Sequence, residues 1–182
     1  MQQRLSTHFK FLFVRHPLER LVSTYRDKFT KPAYYYPQRF GRSIVRTVRG
    51  ANASEQSLRR GHDVRFGEMV QYLLDPRTTR KQDLLSDNHW RQQHRLCHPC
   101  YVRYDFVGHY ETLYEDAQAV LRVLGVAGRV GFPITDPNNR WTRKTSEVSA
   151  QILSEISAEE LGRVKELYAY DFELFGYDPD VL

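Results

Sequence analysis

The sequence predicts an α/β fold in which a short parallel sheet is flanked by helices. Two strand–loop–helix units indicate it, one within the first thirty residues and one that begins near residue 102. Strands joined in this way run parallel, because the helix carries the chain back to the edge where the first strand began. The chain has 182 residues and neither an internal repeat nor an interdomain linker, which predicts a single domain over residues 1–182.

The first unit runs from Phe9 to Phe29. The apolar run from Phe9 to Val14 is broken only by Lys10, which predicts a strand that is buried on both faces. Arg15–Pro17 ends the strand, and proline is well tolerated as a first helical residue. A helix follows, because one apolar stripe recurs at helical spacing: Leu18, Leu21, Val22, Tyr25 and Phe29.

The turn between this strand and this helix is a candidate anion site. The free N–H groups and the positive dipole end of the helix face it. Arg15 at the strand tip offers a planar fork that suits a phosphate, and Ser23 in the second helical turn offers a hydroxyl. An arginine after a strand is often only a surface charge, and a helical serine is usually solvated. The pattern alone leaves both interpretations open.

A second helix is predicted near residues 39–49, where the apolar stripe is Phe40, Ile44, Val45 and Val48. This helix is basic, and its arginines either bind a sulfated or carboxylated glycan or face solvent: Arg39, Arg42, Arg46 and Arg49. Gly50 to Gly61 reads as a loop. It contains Asn52-Ala53-Ser54, an N-glycosylation acceptor that matters only in the secretory pathway.

The next helix is predicted from an N-cap at Asp63 to Leu74, and Asp75-Pro76 ends it. Residues 77–95 are polar and irregular, as loops that carry functional groups often are. His89 lies in this segment and is the best candidate for a general base, because imidazole accepts a proton near neutral pH. A structural or surface role is the default for any one of the seven histidines.

The second strand–loop–helix unit is predicted from Val102, with Gly108 closing the strand. Glu111 follows the strand tip at the same sheet edge as Arg15, where it could orient an arginine or a histidine. Residues 129–146 form a loop that could cover a nucleotide through Trp141, Arg143 and Lys144. Two helices finish the chain, the last with a capping box of Ser157 and Glu160.

Charge is distributed unevenly along the chain. Residues 1–50 hold 11 Lys or Arg and 2 acids, a surplus of +9, whereas residues 51–182 hold the remaining 16 basic and 20 acidic residues. A field of this sign attracts polyanions, nucleic acid included. However, the sequence has neither zinc-finger spacing nor an RNP-like aromatic motif, so no nucleic-acid partner is expected.

Four separated blocks carry a family resemblance. They are R-H-P-L-E-R-L-V-S-x-Y-R-x-K-F from Arg15, H-W at His89, L-C-H-P-C from Leu96, and Y-D-F-V-G-H-Y-E-T-L-Y-E-D-A from Tyr104. The final stretch from Leu167, L-Y-x-x-D-F-E-L-F-G-Y, is also similar. Together they resemble the Golgi carbohydrate sulfotransferases, and most closely the branch of the chondroitin and dermatan 4-O-sulfotransferases and the HNK-1 sulfotransferase.

The resemblance implies a fold related to the P-loop kinases and a donor site for PAPS, 3′-phosphoadenylyl sulfate. In that family the arginine and the serine of the first motif hold the 3′-phosphate of PAPS, and they match Arg15 and Ser23. The implied site is the whole stretch between them, which also holds His16, Pro17, Leu18, Glu19, Arg20, Leu21 and Val22. No metal is implied. The H-W motif makes His89 the candidate catalytic base, with substrate binding by this block as the alternative.

The implied reaction moves a sulfuryl group from PAPS to a hydroxyl of a Golgi glycan, of the chondroitin/dermatan type or a similar carbohydrate. Family members are type II Golgi membrane proteins, so the implied location is the Golgi lumen, with a membrane anchor upstream of this chain.

Cys97 and Cys100 are spaced C-x-x-C. This spacing is compatible with four interpretations: a weak zinc site, a redox-active pair, a reduced pair and a structural disulfide. An oxidising lumen favours the disulfide.

One family feature has no match. Members carry a 5′-phosphosulfate loop with a lysine before the 3′-phosphate strand, and here only Met1 to His8 precede that strand. The fold is therefore expected to be N-terminally incomplete and this chain to be inactive alone. The alternative function is a non-catalytic glycan- or nucleic-acid-binding module that uses the basic N-terminal third.

Overall fold

A computed structural model describes residues 2–31, 35–79, 87–133 and 145–181 of the chain. These residues form two compact units, each of which is described by itself below. Within the described ranges, the first unit comprises residues 2–17, 92–133 and 170–181, and the second comprises residues 18–31, 35–79, 87–91 and 145–169.

Helices dominate both units, and the two strands lie in the first. The elements in chain order are α1 (Gln2–Thr7), β1 (Phe11–Val14), α2 (Pro17–Phe29), α3 (Arg42–Arg49), α4 (Glu55–Arg60), α5 (Phe66–Leu74), α6 (Pro76–Thr79), α7 (Gln93–Cys97), β2 (Phe106–His109), α8 (Leu113–Val123), α9 (Thr145–Leu153), α10 (Ala158–Leu167) and α11 (Ala169–Phe175).

The parallel sheet is confirmed, with shorter strands than predicted. β1 and β2 pair in parallel, with Phe13 opposite Gly108. Gly108 lies inside β2 and does not close it. A Cβ at this glycine would lie 2.6 Å from the Phe13 ring, so the missing side chain makes room for that ring. The strand was predicted to begin at Val102, but β2 begins at Phe106, so the residues before Phe106 lie outside it.

The prediction that β1 is buried on both faces is wrong for the residues described. Only Val14 is fully buried, and Phe11 is 48% exposed. One edge of β1 is also without a strand neighbour in the described part of the chain. Phe11, Phe13 and Phe106 instead cover one another through ring contacts at 6.2 to 6.4 Å.

The second unit is built around the apolar stripe of α2, which the sequence predicted. Leu18, Leu21, Val22 and Phe29 are all buried. The basic helix is also confirmed as α3, which follows a π-helical turn over Pro37–Gly41. The predicted loop between Gly50 and Gly61 instead contains α4, which Ser54 caps by accepting a hydrogen bond from Ser57 N. Asn52 precedes this helix and is exposed.

Two glycines allow α3 and α4 to meet backbone to backbone. A Cβ at Gly41 would lie 2.1 Å from the carbonyl oxygen of Gly61, and Gly61 itself has a left-handed φ of +64°. Only glycine meets both demands at low cost. The exposed Arg59 and Arg60 at the end of α4 are therefore fixed next to the start of α3, where Arg42 Nε donates to Leu58 O at 3.1 Å.

The predicted N-cap of α5 is wrong by two residues. α5 begins at Phe66, and the Glu68 carboxylate accepts the Arg65 N–H at 2.9 Å in a capping box. Asp63 turns instead toward Arg49, whose guanidinium donates to Asp63 Oδ2 and to Glu68 Oε1, both at 2.6 Å. Arg49 therefore forms ion pairs within the protein, and it is removed from the set of arginines predicted to bind a glycan.

Arg49→Met is expected to lower the free energy of unfolding at pH 7 by about 2 kcal/mol, because Glu68 would keep its charge and lose its partner. Burial raises the pKa of Glu68, but hydrogen bonds from Arg49 and Arg65 outweigh burial and leave that pKa below its usual value. A carboxylate whose pKa is lowered by folding stabilises the fold at every pH above its pKa in the unfolded chain. This stabilisation is lost as the pH falls from there through the lower pKa of the folded protein. Urea unfolding at pH 7 and at low pH measures the difference.

The matched control is Arg46→Met, because Arg46 is an exposed arginine of the same helix. It should change the free energy of unfolding by no more than about 0.5 kcal/mol. A loss for Arg49→Met that stays constant from pH 7 down to low pH would contradict the ion-pair explanation.

The chain ends in three helices where two were predicted. The capping box is confirmed, since Ser157 and Glu160 exchange the expected hydrogen bonds. The last predicted helix is divided at Tyr168 into α10 and α11. In the second unit α10 packs on α5, where Arg163 donates to Leu74 O at 3.1 Å. Trp141, Arg143 and Lys144, the predicted nucleotide cover, lie outside the described residues.

Candidate functional site

The turn after β1 lies in the first unit and is held by side chains from distant parts of the chain. The amide of Gln93 bonds both backbone groups of Arg15: Arg15 N donates to Oε1 at 3.0 Å, and Nε2 donates to Arg15 O at 2.8 Å. The next N–H, of His16, donates to Glu111 Oε1 at 2.9 Å. Three consecutive backbone groups of this turn are therefore held by side chains of the protein.

The side chain of Arg15 lies over the ring of Tyr110, with its guanidinium carbon 4.4 Å from the ring centroid. Tyr110 follows β2 directly and is half-exposed. Stacking of this kind orients a planar guanidinium and leaves its edge N–H groups able to donate. Arg15 therefore follows the strand tip, as the sequence predicted, on an aromatic support that the sequence did not predict.

Glu111 and His16 connect the turn to the end of the chain. Glu111 Oε2 accepts the Tyr177 hydroxyl at 2.8 Å, so this carboxylate binds a backbone N–H and a tyrosine rather than the side chain of an arginine or a histidine. His16 is buried between the rings of Phe172 and Tyr177, and its Nε2 lies 3.2 Å from Asp178 O. The side chain of His16 thus packs inside the first unit.

Ser23 lies in the second unit on α2 and is half-buried. The remaining side chains of the predicted phosphate-binding stretch mostly serve the fold. Those of Leu18, Leu21 and Val22 lie in the core, so only their backbone groups are left for a ligand. Arg20 does not point to solvent as a free cation, because its guanidinium donates to two carbonyl oxygens of the 88–91 loop at 2.6 Å.

The loop that carries His89 is fastened to α2 within the second unit. Arg20 donates to Asn88 O and Arg91 O, and the Thr24 hydroxyl donates to His89 O at 3.0 Å. Trp90 points the other way, into the core, and its ring lies 4.8 Å from that of Phe40. The H-W pair thus combines a buried anchor with a histidine whose side chain is 47% exposed.

His89 has the arrangement of an oriented base. Its Nδ1 lies 2.5 Å from Asp87 Oδ1 and 3.0 Å from the Tyr36 hydroxyl. Burial and the neighbouring Asp87 carboxylate raise the pKa of Tyr36 to about 12, so this phenol keeps its proton at neutral pH. An Nδ1–H that donates to a carboxylate leaves Nε2 of the neutral ring as the proton acceptor. In the described part of the chain Nε2 has no hydrogen-bond partner.

Sequence reasoning missed two residues of the first unit. Gln93 appeared only as part of a polar loop, and Asp171 only as part of an acidic C-terminal segment. In the structure Asp171 is fully buried and accepts hydrogen bonds from the backbone N–H groups of Gln93 and His94. The available signal was the family-like stretch from Leu167 to Tyr177, which contains this aspartate.

The expected disulfide between Cys97 and Cys100 is not present in the structure. Cys97 ends α7, and His98 follows with a left-handed backbone that caps this helix. The Cys97 carbonyl accepts the Tyr104 hydroxyl at 2.7 Å. The backbone between the two thiols is thus fixed by hydrogen bonds.

Two further observations concern the described ranges only. They contain no cluster of three or more His, Cys, Asp or Glu side chains able to hold a metal ion. They also contain no helix with the length and apolar character needed to cross a membrane.

Comparisons with known proteins agree on one family. A family model described as "Sulfotransferase family" matches residues 1–178. Carbohydrate sulfotransferase 11 of Rattus norvegicus is 45% identical over 178 residues, which are 97% of this chain and 49% of the relative. Carbohydrate sulfotransferase 8 of Mus musculus is 42% identical over 96% of this chain and 41% of its own length. Carbohydrate sulfotransferase 9 of Homo sapiens is 39% identical over 96% of this chain and 38% of its own length.

The chain spans about half or less of the length of these relatives. No solved structure matches it significantly. The family model nevertheless covers nearly the whole chain, including both units of the fold and the turn, loop and C-terminal blocks described above. The chain belongs to the sulfotransferase family.

Proposed function

We propose that the protein transfers a sulfuryl group from PAPS to a hydroxyl of a Golgi glycan. The observation that carries the proposal is the Arg15 turn: a stacked arginine whose backbone N–H and carbonyl are both held by Gln93, followed by a His16 N–H held by Glu111. This turn falls in the part of the chain that matches carbohydrate sulfotransferases at 39 to 45% identity.

Arg15 and Ser23 are proposed to bind the 3′-phosphate of PAPS. A guanidinium fork and a hydroxyl are the donor types that suit a phosphate dianion, and α2 begins two residues after Arg15. Glu111, a carboxylate that contacts the turn, has both oxygens engaged by His16 N and the Tyr177 hydroxyl. The chemistry of each side chain thus suits a phosphate, and PAPS would supply the sulfuryl group.

His89 is proposed as the base that takes the proton from the acceptor hydroxyl. Asp87 holds Nδ1, and Nε2 would accept that proton. As the oxygen of the hydroxyl forms its bond to sulfur, the bond from sulfur to the phosphate oxygen of the donor breaks, and the desulfated product PAP leaves. Asp87 would stabilise the imidazolium that results.

The acceptor is proposed to be an acidic glycan, of the chondroitin/dermatan type or a similar carbohydrate. Exposed arginines of the second unit lie on α3, the turn before it and α4: Arg39, Arg42, Arg46, Arg59 and Arg60. The Gly41–Gly61 contact holds those of α4 near the start of α3. A fixed cationic surface of this kind attracts a polyanion. We further propose that the protein acts in the Golgi lumen and that the whole enzyme has a P-loop-kinase-like fold. A membrane anchor elsewhere in the protein would hold it there.

The test is a thermal melt of the chain with PAP and, in parallel, with adenosine 2′,5′-bisphosphate. The two ligands carry the same charge and differ only in the position of one phosphate. At 100 times its Kd, PAP should stabilise the fold by about 2.7 kcal/mol. The midpoint should then rise by about 5 to 10 °C, and the isomer should raise it less.

Equal shifts with the two isomers, falling steeply with salt, would favour the non-catalytic polyanion-binding module over the sulfotransferase. The exposed arginines of α3 and α4 are the observation in favour of that second function. A cooperative melt that neither ligand shifts would remove the donor site from the proposal.

A further inference from the structure

We propose that Gln93 and Asp171 are positioning residues for the donor site: they fix the backbone of Arg15 so that its guanidinium is held for the 3′-phosphate. This inference rests on the proposed function and deepens it. All the contacts that carry it lie within the first unit of the fold.

The first step is the contact between Gln93 and Arg15. The amide of Gln93 bonds Arg15 N and Arg15 O together, as a neighbouring strand would, at the residue where β1 has ended. Binding both polar groups of one residue fixes its backbone direction, and the backbone sets where the side chain starts. Gln93 therefore acts on the direction of Arg15 through the backbone of that residue.

The second step is the contact between Asp171 and Gln93. Gln93 is the first residue of α7, where helical N–H groups have no partner within the helix. Asp171 Oδ2 accepts the Gln93 N–H at 2.6 Å, and Oδ1 accepts the His94 N–H at 2.9 Å. His94 Nδ1 lies 2.6 Å from Oδ1 as well. A carboxylate from the C-terminal helix thus caps α7 and fixes the residue that holds Arg15.

Burial makes this chain of contacts stiff. Asp171 is 0% exposed and Gln93 is 6% exposed, so neither side chain can exchange its partners for water at low cost. The same amide left without Arg15 would be a buried polar group with two unmet bonds. Direct contact with a nucleotide is not needed for this role, since the Gln93 amide is already engaged on both atoms by Arg15.

The experiment compares the affinities of PAP and adenosine 2′,5′-bisphosphate by isothermal titration, below the melting temperature of every variant. Gln93→Met keeps the length of the side chain and removes both bonds to Arg15. We expect the preference for PAP over its isomer to fall about 10-fold, the size of effect that one or two lost hydrogen bonds give. The readout is the ratio of the two affinities, PAP over its isomer. A merely structural loss of stability would lower the melting temperature but leave this ratio unchanged in the protein that is still folded.

Two comparisons sharpen the test. Gln71→Met removes another side-chain amide with a tertiary hydrogen bond, to Glu160, and should leave the ratio unchanged. Asp171→Asn should lower the ratio in the same direction as Gln93→Met. If Asp171 acts through Gln93, the double variant should be no worse than Gln93→Met alone, so the two effects should not add.

Each outcome decides something. A wild-type preference for PAP that survives in Gln93→Met overturns the inference and leaves the proposed function standing. A wild type without any preference overturns both. If Gln93→Met fails to fold, Gln93→Glu replaces it: the carboxylate still accepts the Arg15 N–H, cannot donate to Arg15 O, and repels both isomers alike. An undiminished ratio in Gln93→Glu would then overturn the inference.

Discussion

Arg15→Ala should remove most of the rise in melting temperature that PAP produces in the wild type. The substitution removes a charge-assisted, two-pronged contact to phosphate, which weakens binding by about 100-fold. At a PAP concentration 100 times the wild-type Kd, the variant would be only about half saturated and its midpoint would move by less than about 2 °C. The measurement is the thermal melt with and without PAP, repeated over a range of PAP concentrations.

Arg15→Lys separates charge from geometry. The lysine keeps the positive charge but loses both the planar fork and the stacked support on Tyr110. Its PAP-induced shift should therefore lie between those of the wild type and of Arg15→Ala. Arg103→Ala is the matched control, because Arg103 is an exposed arginine in the same unit. If Arg103→Ala reduced the shift as much as Arg15→Ala, the 3′-phosphate assignment would fail in favour of general electrostatics.

Trp90→Ala should cause the largest loss of stability among single substitutions near the candidate base. Trp90 is 4% exposed, its ring contacts Phe40 and Phe29, and its carbonyl accepts the buried Tyr168 hydroxyl at 2.5 Å. Removing a buried indole costs about 3 to 5 kcal/mol, because transfer energy is lost and a cavity remains. Urea unfolding followed by circular dichroism measures this loss.

Two controls accompany this variant. Trp90→Phe keeps an aromatic ring and should lose less than about 2 kcal/mol. Tyr101→Ala removes an aromatic side chain that is 88% exposed, and should change stability by no more than about 0.5 kcal/mol. A loss in Trp90→Ala no greater than that in Tyr101→Ala would mean that the indole does not anchor the His89 loop.

The sequence by itself determined the local elements of this protein. The stripe of α2, its start at Pro17 and the capping box of Ser157 and Glu160 were all predictable. Each depends on residues within a few positions of one another, and periodic burial leaves a periodic pattern. Parallel pairing of β1 and β2 also followed, because a strand–helix–strand order leaves few alternatives. The family, which the comparisons confirm, was recognisable from separated motifs.

The tertiary structure alone decided the partners of the polar side chains. Arg15 and Gln93 are 78 positions apart, and so are Gln93 and Asp171. No spacing rule connects residues at such separations, and a glutamine or an arginine has too many possible partners for its type to choose one. For the same reason the sequence predicted neither the ion pair of Arg49 with Glu68 nor the hydrogen bonds of Arg20 to two carbonyl oxygens. Local patterns record which face of an element is buried, whereas the contacts that shape the candidate site arise only when distant segments meet.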